Sequence, residues 1–208
     1  MPPLTVYRAS DPFAALVLAH GAGAGQKSAW MVRMAGALAD RGVSCATFDF
    51  PYLTAGRKVP DKAPVLEAAW REALDEGRRE FGALPLFIGG KSMGGRIASH
   101  IAAQGVTGVR GLVFFGYPLH PPGQPGKRRD AHLPQIAEPM LFIQGSDDTF
   151  GNEEEISGLL PSLQKARLHV IRGGDHSFKV RGGARAVDAA FADVVSSAAD
   201  WIRGVAAG

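Results

Sequence analysis

The stretch Leu86-Phe87-Ile88-Gly89-Gly90-Lys91-Ser92-Met93-Gly94-Gly95-Arg96-Ile97 constrains this chain more than any other. A short apolar run meets a cluster of glycines, and a helix-like pattern follows. Within it lies Gly90-Lys91-Ser92-Met93-Gly94, a G-x-S-x-G pattern. A serine held in a tight bend between a strand and a helix projects its hydroxyl beyond the end of the sheet. The residues two before and two after it must be tiny, because their side chains would collide across the bend. Gly90 and Gly94 meet that demand, and Gly95 lets the helix start lie close to the sheet. Five-residue patterns also arise by chance, so the rest of the chain has to supply partners for Ser92.

A length of 208 residues fits a single domain, 1–208, with a sizeable core. Hydrophobic residues make up 46% and charged residues 21%, which places the chain among globular proteins rather than disordered ones. A net charge of +3 is too small an excess to argue for nucleic acid. The one dense basic cluster, Lys127-Arg128-Arg129, sits in a Pro/Gly-rich loop and reads as solvated. Cys45 is the sole cysteine, so no intrachain disulfide forms, and a reducing, cytoplasmic location is the default expectation. No stretch reaches membrane-spanning length. Ala14 to Ala19 is apolar but only strand-length, and it reads as core rather than as a signal peptide.

Taken in order, the chain alternates between two patterns. Leu4 to Arg8 predicts an edge strand. Ala14 to His20, Val43 to Phe48, Leu86 to Gly89, Gly111 to Tyr117, Met140 to Gln144 and Leu168 to Ile171 are apolar runs of strand length. Between them apolar residues recur at helical spacing: Met31, Met34 and Leu38, then Leu66, Trp70, Leu74 and Phe81, then Ile97 and Ile101. A helix is expected from about Asn152 to Leu163. A closing helix carries Val187, Phe191, Val194, Ala198 and Trp201 on one face. Such alternation predicts an α/β fold with a mostly parallel sheet of about seven strands and helices on both faces. Ligands bind such sheets beyond the carboxyl ends of the strands, where His20, Asp49, Ser92, Tyr117, Asp148 and His176 all fall.

A serine hydroxyl is a poor nucleophile at neutral pH. It needs a base to take its proton, and the base needs an acid to fix its tautomer and stabilise its cation. Downstream of Ser92, Gly145-Ser146-Asp147-Asp148 ends a strand, and His176 follows the last one. The order Ser, Asp, His is that of the α/β-hydrolases. Gly-x-x-Asp spacing favours Asp148 over Asp147 as the acid, with the other capping a turn or the helix start. Asp175, directly beside His176, reads as a turn former. Among the remaining histidines, His100 falls on a polar helix face, His169 lies within a strand, and His20 orders the glycine loop that follows it. His120 and His132 flank the Pro-rich loop and are candidates to line the site. None of these histidines, nor Cys45, shows a metal-ligand spacing.

Acyl transfer builds negative charge on the former carbonyl oxygen, and backbone N–H groups stabilise it. One is expected from Met93, the residue after the nucleophile. The other is expected from the loop His20-Gly21-Ala22-Gly23-Ala24-Gly25, with Ala22 first and Gly23 as alternative. The same loop, continued to Gln26-Lys27-Ser28, nearly spells a phosphate-binding loop. That pattern requires glycine directly before the lysine, and Gln26 stands there.

Gly89 to Arg96, together with Asp49-Phe50-Pro51-Tyr52 and Gly116-Tyr117-Pro118-Leu119-His120-Pro121-Pro122-Gly123, resembles a small, lidless branch of the α/β-hydrolases. That branch includes dienelactone-hydrolase-like bacterial proteins, testis-expressed hydrolase-like proteins and a subunit of a chromatin acetyltransferase complex. The resemblance implies the α/β-hydrolase fold without a large cap domain, and places the triad at Ser92, Asp148 and His176. True dienelactone hydrolases use a cysteine nucleophile, so their substrate does not carry over to Ser92. The expectation is a serine hydrolase of a small ester or thioester needing no cofactor and no metal. Gly23, Tyr117 and His120 would contact substrate under an open site covered only by the Pro-rich loop. Lys91, Arg96, Lys127, Arg128 and Arg129 would favour an acidic substrate, unless Lys91 instead pairs with Asp49. The alternative is a non-catalytic interaction module that keeps the fold, which a collapsed pocket over Ser92 would favour.

Overall fold

A strand covered on both faces needs an apolar residue at every position, and a helix beside it needs only one apolar stripe. The computed structural model describes residues 3–208 and shows how this chain uses both patterns. Seven strands form one sheet: β1 (Thr5–Tyr7), β2 (Ala14–Ala19), β3 (Val43–Phe48), β4 (Leu86–Lys91), β5 (Val109–Phe115), β6 (Met140–Gly145) and β7 (Ala166–Ile171). Their order across the sheet is β1-β3-β2-β4-β5-β6-β7. All neighbours are parallel except β1, which runs antiparallel to β3 at the edge. The helices are α1 (Ala29–Ala39), α2 (Pro51–Thr54), α3 (Ala63–Phe81), α4 (Met93–Ala103), α5 (Glu153–Ser157) and α6 (Gly183–Ala207).

The period of two along each strand sorts side chains between two cores. On one face Ala15, Val17 and Ala19 of β2 join Leu66, Trp70, Leu74, Ile97 and Ile101 of α3 and α4. On the other face Ala14, Leu16 and Leu18 join Met31, Met34 and Leu38 of α1 and Val194, Ala198 and Ile202 of α6. The Trp70 indole N–H donates to the Gly94 carbonyl at 3.0 Å, which ties α3 to the first turn of α4. Trp201 of α6 packs edge-on against Phe87 of β4, ring centres 6.0 Å apart. Thus β4, the strand that delivers Ser92, is braced from both faces.

Two elements differ from expectation. The helix expected over 152–163 is α5 alone, opened by a capping box between Asn152 and Glu155. It stops at Gly158, and a separate 3₁₀ turn, Leu160–Ser162, contains Pro161, which lacks the N–H a continuing helix would need. In addition, the segment after Phe50 closes into the short helix α2, started by Pro51 at its first position. Among the described residues no helix is long and apolar enough to cross a membrane.

Candidate active site

Ser92 sits between β4 and α4 with φ 50° and ψ −117°, a conformation that side chains rarely adopt. Strain of this kind costs about 1–3 kcal/mol and persists only where the surroundings enforce it. Here they do. A Cβ on Gly90 would lie 2.6 Å from the Gly94 carbonyl carbon, and one on Gly94 would lie 2.5 Å from the Ala19 carbonyl oxygen. The Ser92 N–H donates to Phe115 O at 3.0 Å, fixing the bend to β5.

Three strand ends bring the expected polar groups together. His176 Nε2 lies 2.8 Å from Ser92 Oγ, and His176 Nδ1 lies 2.7 Å from Asp148 Oδ2. Asp148 is buried, and its other oxygen accepts from the Phe150 N–H at 2.8 Å. Asp147 is exposed and accepts from Ser146 Oγ, so Asp148 is the aspartate that faces His176. Asp175 forms a turn, accepting from the N–H groups of Ser177 and Lys179. Acting on one another in this way, the three groups can pass the serine proton to the imidazole and hold the resulting cation against a buried carboxylate.

The glycine loop after β2 is held from below. His20 is fully buried, with Nδ1 2.7 Å from Gly21 O and Nε2 accepting from the Phe50 N–H at 3.2 Å. That pattern requires a neutral imidazole, and burial lowers its pKa accordingly. Asp49 accepts from both the backbone and the side chain of Gln26. The Gly23 N–H donates to the Tyr52 hydroxyl at 3.2 Å, so Gly23 braces the loop rather than offering its donor to a ligand. The N–H groups of Ala22 and Met93 have no protein acceptor among the described residues, which leaves both available to an oxyanion.

A groove of about 610 Å³ opens onto Ser92 and His176. Its walls come from the β2–α1 loop and α1 on one side, and from the loop after β7 and α6 on the other. Trp30, Phe178, Val187 and Phe191 make it apolar, and Phe150 stacks on the His176 ring at 4.2 Å between centroids. Lys91 lines it, with Arg33 and Lys179 as exposed members.

Several expected contacts fall elsewhere. Tyr117 is buried on the α3–α4 face and its hydroxyl donates to Arg129 O at 2.7 Å. His120 is buried too, 2.9 Å from Glu155 and 2.8 Å from Pro121 O. Neither lines the groove, and the Pro-rich loop does not cover it. The chain leaving β5 turns toward the α3–α4 side of the sheet, whereas the groove opens on the α1–α6 side. His132 likewise bonds Ser99 Oγ at 2.7 Å, and burial beside His100 pushes it down to about 4. His100 meets Glu67 at 2.9 Å, and His169 meets Asp193 at 3.0 Å. Of the five basic residues weighed for an acidic substrate, only Lys91 reaches the groove. Its ammonium donates to the His176 carbonyl and not to Asp49.

Sequence reasoning missed Gln144, whose amide donates to Asp148 Oδ2 at 2.7 Å. The signal was present: one polar residue inside an otherwise apolar strand, just ahead of Gly-x-x-Asp. Phe150 and Phe178, two residues beyond Asp148 and His176 respectively, were also missed. Cys45 is fully buried in β3, and burial raises its thiol pKa, which removes it as a nucleophile. Among the described residues no group of three or more His, Cys, Asp or Glu side chains is placed to hold a metal ion.

Known structures share this architecture. Est1E from Butyrivibrio proteoclasticus, in a complex with ferulic acid, superposes with a TM-score of 0.78 at 12% identity, covering 99% of this chain and 96% of that one. An alpha-beta serine hydrolase homologue from Coxiella burnetii gives 0.73 at 17% identity over 93% and 90% of the two chains. A dienelactone hydrolase from Anabaena variabilis gives 0.72 at 21% identity over 97% and 90%. At these identities the likeness speaks for the fold. A sequence model of the alpha/beta hydrolase domain matches residues 12–204, nearly the whole chain. This protein therefore belongs to the alpha/beta hydrolase family.

Proposed function

We propose that this chain is a serine hydrolase that cleaves an ester or thioester through an acyl-enzyme. The observation that carries the reading is the unbroken relay from Ser92 Oγ through His176 to Asp148, at 2.8 and 2.7 Å. Ser92 attacks the carbonyl carbon while His176 Nε2 takes its proton. The Met93 and Ala22 N–H groups hold the oxyanion. The carbonyl then re-forms, the bond to the leaving oxygen or sulfur breaks, and His176 returns the proton to it. Water, deprotonated by the same imidazole, attacks the acyl-enzyme and releases the acid, and the proton passes back to Ser92. These steps require no cofactor.

The groove supports an apolar substrate. Its volume falls in the range of small-molecule sites, and its walls are mainly aromatic and aliphatic. The Est1E complex with ferulic acid shows an aromatic acid bound to a protein of this fold. A buried methylene contributes about 0.8 kcal/mol, close to fourfold in kcat/KM per carbon until the groove is filled. An open groove beside Ser92 weighs against the reading as a non-catalytic module.

The test is hydrolysis of p-nitrophenyl acetate, butyrate and hexanoate, and of the matching N-acetylcysteamine thioesters. Turnover is expected from the native protein, rising from acetate to hexanoate, and is expected to vanish in Ser92→Ala. Folded native protein that turns over none of them would overturn the enzyme reading in favour of the module.

A further inference from the structure

Lys91 is the residue immediately before the nucleophile, and its side chain does not turn away into solvent. It spans from the end of β4 to the loop beyond β7, where its ammonium donates to the backbone carbonyl of His176, 85 positions away in sequence. We infer that Lys91 is a positioning residue for the base: its ammonium pins the main chain that carries the His176 ring. This inference rests on the hydrolase reading above.

The placement of the ammonium is unusual for a lysine. Among the described residues no carboxylate pairs with it directly; Asp148 and Asp175 act on it from a distance. Its near neighbours are aromatic, with the Phe178 and Trp30 ring centres 5.2 and 5.9 Å away, within cation–π range. Burial opposes the charge and lowers the amine to about 8 despite both aspartates. An apolar side chain of similar length would suit such surroundings better for stability alone. A charge held there at a cost to folding points to a role in function.

Space has also been cleared for the bridge. Gly116 follows β5 with φ +68°. A Cβ there would lie 3.0 Å from Lys91 Nζ, 3.1 Å from His176 O and 3.4 Å from His176 Nδ1. Glycine is the residue that allows ammonium, carbonyl and imidazole to converge.

The need for such a pin follows from the relay itself. The His176 ring must meet Ser92 and Asp148 at once, on opposite nitrogens. A drift of about 1 Å in its main chain carries one bond or the other beyond useful range. Lys91 links the strand that bears the nucleophile directly to the loop that bears the base, so the two move as one body.

The experiment compares native protein, Lys91→Met and Lys91→Gln. Each is checked for folding by circular dichroism. The rate of fluorophosphonate labelling is then measured at pH 7, with kcat and KM for p-nitrophenyl butyrate. Lys91→Met is expected to lose about 10- to 100-fold in kcat and in labelling rate with little change in KM. Lys91→Gln, which keeps a donor without the charge, is expected to regain part of kcat and of the labelling rate. A folded Lys91→Met with native rates overturns the inference. So does a variant that changes KM alone, which would make Lys91 a substrate contact. Native protein that does not label at all defeats the hydrolase reading itself, a different result from either.

Discussion

Gln144 Nε2 donates to Asp148 Oδ2 at 2.7 Å, and that same oxygen accepts from His176 Nδ1 at 2.7 Å. The amide also donates to Gly151 O at 2.7 Å, and its carbonyl accepts from the Tyr117 N–H at 2.8 Å. One buried side chain in β6 thus fixes the carboxylate, the loop after it and the chain leaving β5. Gln144→Leu leaves several buried polar groups unpaired, each worth about 1–3 kcal/mol. The expected result is a loss of at least about 2 kcal/mol in urea unfolding, together with slower fluorophosphonate labelling. An unchanged unfolding midpoint would contradict this account of the strand.

The two neighbouring aspartates should separate sharply. Asp148→Asn removes the charge that holds the His176 tautomer, and kcat is expected to fall by about 10³–10⁴. Asp147→Asn alters an exposed side chain bonded to Ser146, and kcat is expected to stay within about twofold. Steady-state kinetics on a p-nitrophenyl ester decide it.

Groove width should set chain-length preference. Val187 of α6 lines the groove together with Ser92, Trp30 and Phe178. Val187→Trp fills part of that space. The ratio of kcat/KM for hexanoate over acetate is expected to drop at least about tenfold, the value of several buried methylenes. A preserved ratio would mean that the acyl chain lies elsewhere.

Lys91 also makes a prediction for folding. Its amine stands at about 8 in the native protein, below the ordinary 10.5 of the unfolded chain. Between those values the unfolded state binds the extra proton. Native stability therefore gains from this residue as pH rises through that window, by at most about 3 kcal/mol. Lys91→Met lacks the effect. Denaturation at pH 7.5 and 9.5 should show the native protein gaining on the variant at the higher pH, and equal pH responses would count against a buried charge.

The positions of Ser92, Asp148 and His176, which the structure brings together, were legible because each is marked by local chemistry. Ser92 is bracketed by glycines that only a sharp bend requires, Asp148 follows a strand at Gly-x-x-Asp spacing, and His176 follows the last strand. A parallel sheet brings all such ends to one edge. That edge has two sides, and sequence does not say which side a loop takes. Tyr117 and His120 follow β5 to the correct edge and then turn to the α3–α4 side, away from the groove. The apolar wall made by Trp30, Phe178 and Phe191 was hidden for a related reason. Phe178 lies in a loop, which carries no periodicity, while Trp30 of α1 and Phe191 of α6 lie on helices, where the spacing of a groove lining looks the same as that of a core face. Lys91 was visible beside the nucleophile, but its partner turned out to be a backbone carbonyl, and no residue type marks one.

The most direct test of the central claim is intact mass after treatment with a fluorophosphonate, on native protein and on Ser92→Ala. A single adduct on the native chain and none on the variant is the predicted result, since only a serine served by His176 reacts at neutral pH. A well-folded native chain that gains no mass, or a variant that labels equally, would contradict an activated nucleophile at Ser92.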